Sequence, residues 1–167
     1  GTININEKQV MFSSTKDAEG EGIEMIYQEI SLHTDLSVAE NIFLGNLPKR
    51  RIKAFVDKRK MISLAKEAID LIGLDVDVLE LVGRLSTSQQ QLVSIAKAIY
   101  RQPKVLVLDE PTSALTLTET KRLLGILRSL KEKGISCIYI SHKLDEVFEI
   151  ADRLVVLRDG KAVTEYK

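Results

Sequence analysis

Val105-Leu106-Val107-Leu108 is an unbroken apolar run that meets two acids, Asp109 and Glu110, and then Pro111. Four apolar residues without alternation read as a strand covered on both faces, the condition met in parallel sheets flanked by helices. The residues that follow keep to that plan. Thr116 and Glu119 have the spacing of a capping box, and Leu123, Ile126, Leu127 and Leu130 form one helical stripe. Gly134 stands where a helix C-cap is wanted. A second strand is expected over 135–141, a short helix over Leu144–Ile150 and a third strand over Arg153–Leu157. Asp159-Gly160 is a turn signal that sends Lys161–Tyr166 back as a hairpin. Strand, helix, strand, helix, strand predicts an α/β fold with a parallel sheet.

Residues 31–102 read differently, as an inserted helical region. Helices are expected over Val38–Leu44, behind Ser37 and Glu40, and over Asp57–Ile72. Another runs from Ser86 or Ser88 to Arg101, where Leu92, Ile95, Ala96 and Ile99 recur at helical spacing before Pro103. Ile3–Phe12 and Ile23–Tyr27 read as strands around a Ser/Lys/Glu/Gly loop. The 167 residues suffice for one domain with a real core.

Lys+Arg and Asp+Glu balance at 24 each, which is not the footprint of a nucleic-acid binder. No apolar run is long enough to span a bilayer, and the start GTININEKQV lacks a signal layout. Cys137 is the single cysteine, inside ISCIYIS, and reads as a small core residue in a reducing, cytoplasmic setting. His33, Tyr27 and Phe43 read as a surface residue and two packing aromatics. The basic cluster Lys49, Arg50, Arg51, Lys53, Lys58, Arg59 and Lys60 reads as a solvated approach to the helix that follows.

In an open parallel sheet, ligands bind beyond the carboxyl ends of the strands. One predicted strand ends at Asp109-Glu110 and the next at Ser141-His142. Each has a plainer reading, as a solvated strand end or a helix start, but together they suit phosphoryl transfer. An Asp holds Mg²⁺ through its water shell, a Glu orients and deprotonates water, and a His touches the γ-phosphate. Ser86 and Ser88, ahead of an amphipathic helix, frame either an anion site or an ordinary N-cap.

These pieces fall in a particular order: MIYQEISLHTDLSVAENIFLG over 25–45, LSTSQQQ over 85–91, VLVLDEPTSALT over 105–116 and SHKLDEVFEIADRLVVLRDGK over 141–161. That order resembles the ATP-binding subunits of ABC transporters across the whole chain. The nearest likeness is the first nucleotide-binding half of the duplicated ATPases of monosaccharide importers, of ribose, xylose or galactose type.

The resemblance implies a P-loop NTPase (ABC ATPase) fold fragment, α/β, with a mostly parallel sheet and an inserted helical subdomain. Residues 1–30 would end the antiparallel region and hold the Q-loop strand, 31–102 the helical subdomain, and 103–167 the rest of the RecA-like core. It implies that Gln28 is the Q-loop glutamine, contacting metal and permease side. Ser86, Thr87, Ser88 and Gln89 would be the signature loop, which grips nucleotide on an opposite domain. Asp109 would be the Walker B aspartate, Glu110 the catalytic glutamate, Ser113, Ala114 and Leu115 the start of the D-loop, and His142 the switch histidine. ATP and Mg²⁺ are the implied cofactors. A second nucleotide-binding domain, membrane permease subunits and, indirectly, a sugar-binding protein are the implied partners. The implied location is cytoplasmic, peripheral on the inner face of the cell membrane. A soluble ABC-type ATPase acting on ribosomes or DNA, and a non-catalytic paralogue that regulates a full-length partner, are the rival readings.

The chain departs from the family in one large respect. Its nine glycines stand at 1, 20, 22, 45, 73, 83, 125, 134 and 160, and none completes the G-x-x-x-x-G-K-[ST] phosphate loop. The expectation is a chain truncated ahead of the Q-loop, inactive alone, whose sheet lacks its central strand and self-associates through the exposed edge. Thr87 and Ser88 also replace the glycines that usually follow the signature serine.

Overall fold

The computed structural model describes residues 2–5, 7–48 and 56–166. At its centre three strands run parallel in the order β3 (Ile23–Ile26), β4 (Val105–Asp109) and β5 (Ser136–Ile140). The register sets Ile26 beside Leu108 and Leu108 beside Tyr139. Two antiparallel hairpins lie outside this sheet. β1 (Ile3–Ile5) pairs with β2 (Lys8–Val10), and β6 (Leu154–Arg158) pairs with β7 (Lys161–Tyr166) around Asp159 and Gly160, both at positive φ.

Local chemistry explains most helix starts. α1 (Thr15–Gly20), α2 (Val38–Phe43), α4 (Thr87–Tyr100) and α5 (Leu117–Glu132) each begin with a reciprocal capping box, made by Ser14 with Asp17, Ser37 with Glu40, Ser86 with Gln89, and Thr116 with Glu119. Asp57 caps α3 (Lys58–Ile72) through the Lys60 amide. Gly134, at φ 82°, follows α5 in the left-handed conformation that ends it. α6 (Leu144–Ile150) completes the set.

One hydrophobic core joins the helical region to the sheet. Ile42 and Phe43 of α2, Ile69 and Ile72 of α3, and Leu92 and Ile95 of α4 form a single cluster with Ile26, Leu106, Leu108, Leu123 and Leu127. Leu106 and Leu108 are fully buried; each such side chain contributes about 1.5–3 kcal/mol. Phe43 sets its ring edge-on against Tyr100, with centroids 4.9 Å apart. Cys137 packs against this core, and burial pushes its thiol pKa up, as a small core residue should behave.

Four expectations need correction. The segment expected as a loop before β3 holds α1, a single capped turn and a half with no buried residue, hence no apolar periodicity to reveal it. Val105 and Val107 are only half-buried, because the sheet face they share with Met25, Ile138 and Ile140 is uncovered among the described residues. β6 does not continue the parallel sheet. It bonds to β7 alone, and the outer edge of β5 has no partner strand among the described residues. Tyr27 is 47% exposed, not packed, since it lies one residue beyond the end of β3. Lys49, Arg50, Arg51 and Lys53 of the basic cluster lie outside the described residues. No described helix is long and apolar enough to cross a membrane.

Candidate functional site

The carboxyl end of the parallel sheet gathers residues far apart in the chain. β4 ends at Asp109 beside Ile140, and the Glu110 amide donates to the Ile140 carbonyl at 2.9 Å, carrying the β4–β5 pairing one step past the strand. At Glu110 the chain turns sharply, with φ 45°. Pro111 and Thr112 are then buried, and the Ser113 amide closes the turn on the Glu110 carbonyl at 3.2 Å.

This turn presents the Glu110 carboxylate to two other elements. His142 Nδ1 lies 3.0 Å from Oε1, and Gln28 Nε2 donates to Oε2 at 3.5 Å. The carboxylate is thus flanked by residues 32 and 82 positions away. Three of the residues singled out in the sequence meet at one group. The imidazole of His142 is mostly exposed and the Glu110 side chain is 28% exposed, so the site opens to solvent. Asp109 precedes the turn on the same sheet face as Val107, half-buried, and its carboxylate makes no hydrogen bond among the described residues.

The remaining residues singled out do not join this cluster through hydrogen bonds. Ser86 Oγ accepts from the Gln89 amide at 3.3 Å while Gln89 Oε1 accepts from the Ser86 amide at 2.9 Å, and the Ser86 and Ser88 hydroxyls lie 3.2 Å apart. Thr87 is exposed in the first turn of α4. Ser113 is exposed, Ala114 half-buried, and Leu115 packs against the core. The two groups approach at Glu119. Its carboxyl is held below the ordinary range, first by the Thr116 amide, then by the Thr116 hydroxyl, with a further contribution from the Ser88 hydroxyl.

Behind the exposed cluster sits a polar group that sequence reasoning did not find. Thr112 Oγ1 and the Tyr139 hydroxyl both donate to Glu146 Oε2, each at 2.7 Å. Lys143 Nζ lies 3.2 Å from Glu146 Oε1 and donates to the Thr112 carbonyl at 3.1 Å. Burial pushes the Tyr139 phenol pKa far up, and its bond to Glu146 adds to this, so it remains a neutral donor.

The donors near Glu110 suit a hard cation. Asp109 and Glu110 supply carboxylates and Gln28 an amide oxygen, while no described group of three or more His, Cys, Asp or Glu could hold a metal unaided. Mg²⁺ is commonly bound in that way, by one or two carboxylates with waters and substrate phosphates.

The chain is similar to known proteins. The ABC transporter family matches residues 1–113. The ribose import ATP-binding protein RbsA of Bacillus licheniformis is 42% identical over 98% of this chain, and the xylose import ATP-binding protein XylG of Moorella thermoacetica is 50% identical over all of it. The chain spans 33% of the length of each. Among solved structures, the ATP-binding cassette MJ0796, dimeric in a post-hydrolysis state bound to ADP and Pi, superposes with a TM-score of 0.84 at 21% identity, covering 100% of this chain and 73% of that one. The fold is therefore that of an ABC ATPase cassette. Fold, motif order and a family match over residues 1–113 agree, and the chain belongs to the ABC transporter family.

Proposed function

We propose that this chain carries the water-activating part of the ATP-hydrolysing subunit of a carbohydrate importer. One observation carries the reading: Gln28 and His142 converge on the solvent-open carboxylate of Glu110 at the end of a parallel sheet. In this role Glu110 orients the attacking water and takes its proton, while His142 stabilises charge developing on the γ-phosphoryl oxygens. Asp109 and Gln28 hold Mg²⁺, which when bound neutralises phosphate charge. Ser86, Thr87, Ser88 and Gln89, at the positive end of α4, grip the phosphate of nucleotide held by a second nucleotide-binding domain, with Ser113, Ala114 and Leu115 lining that contact.

The division at 30 and 102 separates the core from a helical part that passes closure to permease subunits, and a sugar-binding protein acts through those. In this reading the subunit works at the inner face of the cell membrane. Alone, the chain self-associates through the open edge of β5. The names of the relatives, ribose and xylose import ATP-binding proteins, support the carbohydrate.

Two measurements test the reading. Titration calorimetry of the 167-residue chain with Mg-ATP should give no detectable binding, because its sequence holds no phosphate loop. Micromolar binding abolished by Asp109→Ala would sink that part. In the intact ATPase containing this chain, Glu110→Gln should lower kcat by about 10²–10⁴-fold, with KM for ATP little changed. Unaltered turnover would remove Glu110 from the chemistry.

A further inference from the structure

Glu110 pairs its functional position with an unfavourable backbone. At φ 45° its Cβ is crowded against the following carbonyl, a conformation that residues with side chains avoid. Such a residue persists only where its surroundings hold it. On its N-terminal side the amide bond to Ile140 does this. The C-terminal side is held by Thr112, which is 1% exposed.

Everything bonded to the Thr112 side chain leads back to His142. Its hydroxyl donates to Glu146 Oε2 at 2.7 Å and lies 3.3 Å from Lys143 Nζ, while its carbonyl accepts from the same lysine at 3.1 Å. Lys143 directly follows His142. Tyr139, three residues before His142 on β5, donates to the same oxygen of Glu146. One carboxylate, 11% exposed, therefore ties together the turn after Glu110, the end of β5 and the start of α6.

We propose that Thr112, Tyr139, Lys143 and Glu146 form a clasp that positions Glu110 against His142. These are positioning residues, since none touches the proposed reacting atoms. An acid in the first turn of α6 also complements the helix dipole, but that role requires neither Thr112 nor Tyr139. Convergence from both sides of the Glu110–His142 pair is what points to alignment. Fully satisfied polar groups of this kind fix one geometry where apolar packing would allow several.

The consequence for activity rests on the function proposed above; the structural consequence does not. Amide hydrogen exchange on this chain reads the structural part. Thr112→Val keeps the shape and removes the hydroxyl, Tyr139→Phe removes the second donor, and Thr112→Ser retains the first. The valine and phenylalanine variants should each speed exchange of the Glu110 amide about tenfold, with core amides of α4 and α5 unchanged, while Thr112→Ser keeps the parent's protection. Exchange that is unchanged at Glu110, or accelerated equally throughout the core, would overturn the clasp. In the intact ATPase the valine and phenylalanine variants should lower kcat about tenfold at unchanged KM for ATP, while Thr112→Ser keeps it near the parent value. A rise in KM alone would assign these residues to binding and overturn alignment. If Glu110→Gln leaves hydrolysis untouched, the proposed function fails, while the exchange data still decide whether the clasp exists.

Discussion

At Glu110 two demands oppose each other, since the carboxylate proposed to handle water sits on a backbone suited to glycine. Glu110→Gly should therefore be more stable than Glu110→Ala by about 1 kcal/mol, although both lose the same carboxylate contacts. Urea unfolding of the two variants reads the difference, and equal stabilities would mean that the turn relaxes when the side chain is lost. Glu146 brings a second prediction. Burial alone would raise its carboxyl pKa, but hydrogen bonds from Tyr139, Thr112 and Lys143 overcome this and leave it below the ordinary range. A group lowered on folding stabilises above its unfolded pKa and loses that contribution as pH falls through the folded value. Parent protein should thus be more stable than Glu146→Gln at neutral pH, with the gap closing as pH falls below the ordinary carboxylate range. Thermal melts across that range test it, and a gap independent of pH would show that charge at this position is immaterial. Asp109, Glu110 and His142 were legible because an apolar run announces where its strand ends. Gln28 needed the family likeness, for nothing local marks it. The Thr112–Glu146 bond was not legible at all, because it depends on how α6 docks against a turn 34 residues away.

Among the elements, starts were written locally and neighbours were not. The boxes at Ser37–Glu40 and Thr116–Glu119 are visible as spacing, and α2 and α5 begin one residue after each. α1 uses the same chemistry with Asp17, yet it has no apolar face to announce it. Thr116→Ala should cost about 1 kcal/mol of stability in urea unfolding, and Thr116→Ser a few tenths. Equal losses would show that α5 is held by packing alone. β6 was read correctly as a strand but assigned to the wrong sheet. An apolar run and turn signals tell that Leu154–Arg158 is extended and returns at Asp159-Gly160; they carry no information about what lies beside it.

For the molecule as a whole, the parallel sheet presents Met25, Ile138 and Ile140 on a face that is uncovered among the described residues, next to an edge of β5 that has no partner strand among them. Both features favour association of one copy with another. Light scattering over rising concentration should show mass above that of a monomer, and Ile138→Lys with Ile140→Lys should reduce it. A monomer at all concentrations would rule this association out. The pairing of β3 with β4 also has a cost in time. Ile26 lies beside Leu108, and their positions differ by 108 − 26 = 82 residues. On a ribosome adding about 5–20 residues per second, β3 waits roughly 4–16 s for its partner. Gln28 waits longer still for His142, a separation of 142 − 28 = 114 residues, or roughly 6–23 s at the same rate. Throughout that interval the nascent chain exposes an apolar strand before the residues that complete the site exist, so synthesis, more than the finished fold, is when this protein is open to capture by chaperones.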